Sequence, residues 1–201
     1  LNSAERPVEL LEDLYFIPEE IYMPSVMVAR FVKNTASFYP QFNEDQFYTY
    51  LHEFDIPREA ILSKLSFGQQ KKAMIAFGLA TNTSVLMMDE PTNGLDIPSK
   101  AQFRKLIASV LTEERCIIIS THQVRDLDSL IDTLVVLNNQ EIVVNQALDT
   151  ITEKVYFDTI AADDTQPVLY QEESMRGKNV IVANTNGLYS KVDMELLFNA
   201  I

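Results

Sequence analysis

The sequence is poor in several things at once. It holds one cysteine, two histidines, five glycines and no tryptophan in 201 residues. A single cysteine, Cys116, excludes an internal disulfide, and its setting in "RCIIIS" reads as a small hydrophobe in a buried strand. So few cysteines and histidines also argue against a structural zinc site. No apolar run approaches the ~18 residues that cross a bilayer as a helix. The first residues, "LNSAERPVEL", lack the basic-then-apolar order of a secretory signal, so the chain is read as soluble and cytosolic. The glycines exclude one thing more. They are Gly68, Gly78, Gly94, Gly177 and Gly187, and no pair has the spacing of the phosphate loop G-x-x-x-x-G-K-[ST]. "RGKN" supplies Gly177 and Lys178, but Asn179 follows where a hydroxyl residue is required.

What is present is acid and apolar bulk. The formal net charge is -13, which sets the chain against nucleic acid backbones and anionic lipid over long range. A local basic pocket stays open, because Lys71, Lys72, Lys100, Arg104 and Lys105 lie close in sequence. A hydrophobic share of 47% is enough for a real core and excludes disorder.

The chain reads as alternating strands and helices. "LYFI" is a short strand stopped by Pro18. Val28, Phe31 and Val32 have helical spacing, with Pro24 and Ser25 near the start. A second helix carries Phe47, Tyr50, Leu51 and Phe54 on one side, with Asn43 as N-cap and Gln46 able to complete a capping box. A third runs from Gln69 to Thr81, with Met74, Ile75, Gly78 and Leu79 toward a core. "SVLMMD" and "CIIIS" do not alternate, so both are expected to be buried on two faces of a parallel sheet. Between them "SKAQFRKLIASVLTEE" is an amphipathic helix with Phe103, Leu106, Ile107, Val110 and Leu111 on one stripe. "DTLVVLNNQEIVV" is a hairpin turning at Asn138 and Asn139. The expectation is an α/β domain over residues 1–145, with a helical subdomain over about 20–82. Residues 146–201 read as a small α+β extension, in which "YFDTI", "PVLY" and "NVIVAN" are strands and "DMELLFNAI" a helix.

Three stretches carry chemistry. "VLMMDEPTNGLD" delivers Asp89 and Glu90 to the carboxyl end of a parallel strand, where open α/β sheets bind ligands. Acids placed there need cations or donors to offset desolvation. Asp89 suits a magnesium ion and Glu90 suits a water. Two acids capping a turn would look the same. "LSFGQQKK" places Ser66 and Gly68 before a helix, where free amides and a hydroxyl form an anion site or a plain N-cap. "IIISTHQ" ends a second strand in Ser120, Thr121 and His122, which puts an imidazole at the same edge as Glu90.

In this order and at these separations the three stretches resemble the nucleotide-binding domain of ABC ATPases, over about Leu14 to Val143. In that family they are the signature motif, Walker B with the D-loop, and the switch-histidine loop. The resemblance implies a P-loop NTPase-like fold, a mainly parallel sheet flanked by helices. It implies ATP and Mg2+ as ligands. It makes Asp89 the magnesium carboxylate, Glu90 the catalytic base and His122 the contact to the γ-phosphate. Asn93, Gly94, Leu95 and Asp96 become the D-loop. Ser66, Phe67, Gly68 and Gln69 become the segment that reaches a nucleotide held by a second copy. A homodimer with ATP at its interface follows, as does an integral membrane transporter subunit as partner. The cassette would sit on the cytoplasmic face of the membrane, with no nucleic acid partner.

Two departures stand out. Phe67 occupies the place of the signature's usual glycine. Glu19 stands where a glutamine should follow "YFIP"; it is acceptor-only when ionised but can still reach a magnesium water. The segment 20–38 would dock a membrane subunit. Because the phosphate loop is not within these residues, the chain alone is expected to bind ATP weakly and to be inactive, with the loop belonging upstream. The other readings are a non-transport ABC ATPase and a regulatory module that completes a partner's site.

Overall fold

The computed structural model describes residues 3–127 and 130–201. Two compact units divide between Asp126 and Leu127, earlier in the chain than the 145/146 boundary expected from sequence texture.

The first unit opens with a short helix α1 (Val8–Leu11) and strand β1 (Leu14–Ile17). Three helices follow: α2 (Val28–Thr35), α3 (Glu44–Glu53) and α4 (Phe67–Ala80). Strand β2 (Val85–Asp89), helix α5 (Ile97–Val110) and strand β3 (Cys116–Ser120) complete it. The strands form one parallel sheet in the order β1-β2-β3, with Ile17 opposite Met88 and Asp89 opposite Ser120. That register brings the carboxyl ends of β2 and β3 level, which decides where the site lies.

Local chemistry explains each start and stop. Asn43 caps α3 by accepting the Gln46 N–H at 3.0 Å. The capping box expected there does not form, because the Gln46 side chain accepts instead from Asn82 Nδ2 at 2.9 Å. The reciprocal box appears at α4, where Ser66 Oγ accepts the Gln69 N–H at 3.3 Å and Gln69 Oε1 accepts the Ser66 N–H at 3.0 Å. Helix α5 starts earlier than its apolar stripe suggests, at Ile97 with Pro98 in its first turn and Asp96 as cap. It ends at Val110, so Leu111 lies beyond it and is exposed.

Phe47, Leu51, Phe54, Ile75, Phe77 and Leu79 are fully buried and tie α3 and α4 together. Helix α4 lies tight on β1. A Cβ at Gly78 would fall 2.9 Å from both Ile17 Cδ1 and Tyr15 Cδ1, so any larger residue there would push the helix off the strand.

The sheet departs from expectation on one face. Tyr15, Ile17, Leu86 and Met88 are buried, but Phe16 and Ile118, in register through Met87, are about half exposed. Cys116 is exposed as well, not a core residue. A non-alternating apolar run shows that a strand can be covered on both faces; it does not say that these residues do the covering.

The second unit has a hairpin, β4 (Thr133–Asn138) and β5 (Glu141–Ala147), turning at Asn139 and Gln140, both with positive φ. Helix α6 (Leu148–Lys154), not expected from the sequence, leads into β6 (Val155–Ile160). Then come β7 (Tyr170–Ser174), β8 (Gly177–Ala183) and helix α7 (Met194–Asn199). Their antiparallel sheet has the order β6-β8-β7, with Val180 and Ile181 buried at its centre. Among the described residues no helix is long and apolar enough to cross a membrane.

Candidate active site

The site forms where β2 and β3 end side by side. Asp89 is the last residue of β2, and its Oδ1 accepts the Ser120 hydroxyl at 2.5 Å. Glu90 follows in a left-handed conformation, φ 44°. For a residue with a side chain that geometry costs on the order of 1–3 kcal/mol and persists only when its surroundings enforce it. Three main-chain bonds enforce it here. The Glu90 N–H donates to Ser120 O at 2.9 Å, and the Glu90 carbonyl accepts from Lys71 Nζ at 2.7 Å and from the Asn93 N–H at 3.1 Å.

The Glu90 carboxylate is wired at both oxygens. Oε1 accepts the His122 backbone N–H at 2.8 Å and faces His122 Nδ1 at 2.6 Å. Oε2 accepts the Thr121 hydroxyl at 2.8 Å. Against an ionised carboxylate Nδ1 must carry the proton, which assigns the tautomer. Burial pushes the Glu90 carboxyl upward, but the bonds from His122 and Thr121 outweigh it and hold the group below the usual range. Glu90 is therefore an anion at neutral pH. The His122 side chain is 72% exposed and free to meet a ligand on its far side.

The remaining candidates surround this centre. Glu19 Oε1 accepts Asn93 Nδ2 at 2.8 Å, which links the residue after β1 to the loop after β2. Ser66 and Phe67 are exposed at the N-terminus of α4, where first-turn amides lack helical acceptors. Gly68 backs onto that same loop: a Cβ there would lie 3.1 Å from Gly94 O. Gln69 closes the α4 box. Asp96 caps α5 through Ser99 N–H at 2.9 Å, and hydrogen bonding to Ser99 chiefly holds its carboxyl below the ordinary value. The structure thus gathers Asp89, Glu90 and His122 into one cluster, sets Glu19 beside Asn93, and leaves Ser66 and Phe67 open to approach from outside. Among the described residues no three His, Cys, Asp or Glu side chains form a ready metal cage. A lone strand-end carboxylate with hard oxygen donors suits magnesium shared with phosphates and water.

Sequence reasoning placed Lys71 only in a loose basic group. In the structure it is fully buried, with its nitrogen on Glu90. The signal was its spacing: Lys71, Ile75, Gly78 and Leu79 recur at helical intervals on the face of α4 that is buried.

Phe67 has an observable role. Its ring lies against Gly94, where an added Cβ would come 2.7 Å from Phe67 Cε1, and Gly94 has φ +79°. We therefore expect Gly94→Ala to lower stability by about 1–3 kcal/mol in urea denaturation. Adding Phe67→Ala should recover the steric part and leave the backbone part. A double variant no more stable than Gly94→Ala alone would show that the ring contact costs nothing.

The parallel strands, the interposed helices and the acid pair at the sheet edge define an α/β domain with a ligand-binding edge at the carboxyl ends of its strands. Residues 14–93 match the family described as "ABC transporter". The chain is 32% identical over 88 residues to "ABC transporter ATP-binding protein NatA" of Bacillus subtilis (strain 168), covering 44% of this chain and 36% of that one. It is 36% identical over 77 residues to "Molybdenum import ATP-binding protein ModC" of Mycobacterium tuberculosis (strain CDC 1551 / Oshkosh), covering 38% and 21%. The chain thus spans well under half the length of these curated relatives. Among solved structures, "Structure of ATP binding subunit of ABC transporter" superposes with TM-score 0.66 at 21% identity, over 75% of this chain and 65% of that one. That likeness shows the shared fold.

Proposed function

We propose that the protein containing this chain is the ATP-hydrolysing subunit of an ABC transporter, working as a nucleotide-sandwich dimer that drives a separate membrane subunit. The observation that carries the reading is the Glu90 carboxylate, ionised, held at both oxygens and set one residue after Asp89. A fixed anionic acceptor beside a metal-suited carboxylate is what water attack on a phosphoanhydride requires. Magnesium with ATP would supply the electrophilic phosphorus and neutralise developing charge. Asp89 would hold the metal, with Glu19 within reach of its water shell. Glu90 would orient the attacking water and take its proton. His122 would steady the terminal phosphate. The exposed Ser66 hydroxyl and the amides of Phe67 and Gly68 would meet the nucleotide of a second copy, with Gln69 holding that turn and Asp96 ending the loop between copies.

A docking surface for the membrane subunit is supported by the segment after β1. Tyr22 and Met27 are exposed there, while Val28 and Val32 anchor α2 in the core. The test is to isolate the full-length protein from membranes with mild detergent. We expect an integral membrane protein to co-purify and ATP turnover to accompany it. Co-purification with ribosomes or DNA would end the transport reading. An intact partner cassette, with no turnover from this protein, would favour the regulatory module.

A further inference from the structure

We infer that Lys71 is a positioning residue for the proposed hydrolysis: its buried ammonium clamps the Glu90 main chain and so ties the aim of the catalytic carboxylate to helix α4. The inference rests on the ATPase reading above and extends it to a residue outside the phosphate, metal and water contacts.

The geometry is specific. Lys71 is the only lysine among the fully buried side chains of the described residues, with 0% of its surface exposed. Its nitrogen is spent on a main-chain oxygen, the carbonyl of Glu90, at 2.7 Å. An ammonium without water is costly unless charge compensates it. Burial lowers its proton affinity, and the nearby Glu19, Glu90 and Asp89 push it back up. Such a group is retained at a cost in desolvation, so a plain apolar side chain would serve packing better.

What it holds is a residue in an unfavourable backbone state. Glu90 has φ 44°, its N–H is tied to β3 through Ser120 O, and its C=O is tied to α4 through Lys71. Without Lys71 the carbonyl keeps only the Asn93 N–H at 3.1 Å, a bond within its own loop, and the tie to α4 is gone. The residue then has less to hold it against relaxing toward an ordinary backbone conformation, which would swing the carboxylate off Thr121 and His122. The same helix presents Ser66 at its N-terminus. A shift of α4 on engaging a second copy's nucleotide would therefore reach the Glu90 peptide through one side chain.

The test uses the full-length protein and Lys71→Met, which keeps an unbranched apolar stem one heavy atom shorter and removes the donors. Misaiming a catalytic group without touching substrate lowers kcat and spares binding, so kcat should fall about 10-fold to 100-fold. KM for ATP should stay within about twofold of the parent. An unchanged kcat, or a loss confined to KM, overturns the inference. A second readout needs no turnover. The Glu90 and His122 amides, bonded to Ser120 O and Glu90 Oε1, should exchange with solvent about 10-fold faster, while the Thr81 amide at the far end of α4 is unchanged. Unaltered exchange at Glu90 and His122 also overturns it. Should Lys71→Met not fold, Lys71→Gln is read in its place: it keeps an N–H donor but shortens the reach. Its kcat should fall about 3-fold to 10-fold with KM spared, and no fall overturns the inference. A parent protein that does not hydrolyse ATP sinks the proposed function and leaves the exchange measurement to judge Lys71 by itself.

Discussion

Replacing Glu90 with glutamine in the full-length protein should lower ATP turnover by about 100-fold to 10,000-fold while leaving the fold and ATP binding intact. The structure shows why the fold should survive. The glutamine carbonyl can take the place of Oε1, because the His122 N–H is only a donor. The amide NH2 then falls toward Thr121 Oγ1, which has a lone pair to accept it even while it accepts the Gln123 N–H at 2.9 Å. Left-handed φ is as available to glutamine as to glutamate, and the bonds to Ser120 O and from Lys71 Nζ are made by the main chain of residue 90. What is lost is the anion. A neutral amide cannot take a proton from water, and it no longer repels the charges of bound nucleotide. Two copies should therefore close on magnesium-ATP and stay closed. Size-exclusion chromatography with magnesium-ATP should show a stable dimer, and phosphate release should show almost no turnover. Parent-like hydrolysis by the variant would remove Glu90 from the role of base.

The same residues show how far the sequence can be read. Asp89, Glu90 and His122 could be set at one sheet edge from primary structure, because each follows or ends an apolar run read as a parallel strand; that the two strands end level, Asp89 opposite Ser120, is seen only in the fold. The helices between β1 and β2 were legible from their spacing and from Asn43 and Ser66 as caps. Several features were not legible. Gln46 has a capping partner in sequence, but Asn82, distant along the chain, competes for its oxygen, and only the folded chain brings the two together. Cys116 sits in an apolar string, yet local pattern does not record which face of a sheet is covered. The bond from Lys71 to Glu90 joins a helix residue to a backbone carbonyl, and a carbonyl has no residue type to betray it. Phe67 looked like a bulky intruder in a glycine position; its ring has room because the residue beneath it, Gly94, has no side chain.

Phe77→Ala should cost the first unit about 3–5 kcal/mol, the largest stability effect expected of any single substitution discussed for this chain. The ring is fully buried in α4 and stands at the hub of an aromatic cluster. Phe42 lies 4.9 Å from it between ring centroids, Phe31 5.0 Å, Tyr15 5.6 Å, Phe47 5.8 Å and Tyr39 6.2 Å. Those rings come from β1, α2, α3 and the connection between the two helices. Truncation thus opens a cavity touched by nearly every element that seats α4. The neighbours cannot simply close in. Tyr15 is pinned between the sheet and Gly78, where burial already pushes its phenol far above the ordinary value and keeps it neutral. Phe77→Leu, which fills much of the space, should cost clearly less. The consequence reaches the site, because α4 carries both Ser66 and Lys71. In urea the first unit of Phe77→Ala should unfold at a much lower midpoint, and below that midpoint the Glu90 and His122 amides should already exchange faster than in the parent. A loss under about 1 kcal/mol would mean that the cluster closes over the gap, and that α4 is seated by its contact with β1 instead.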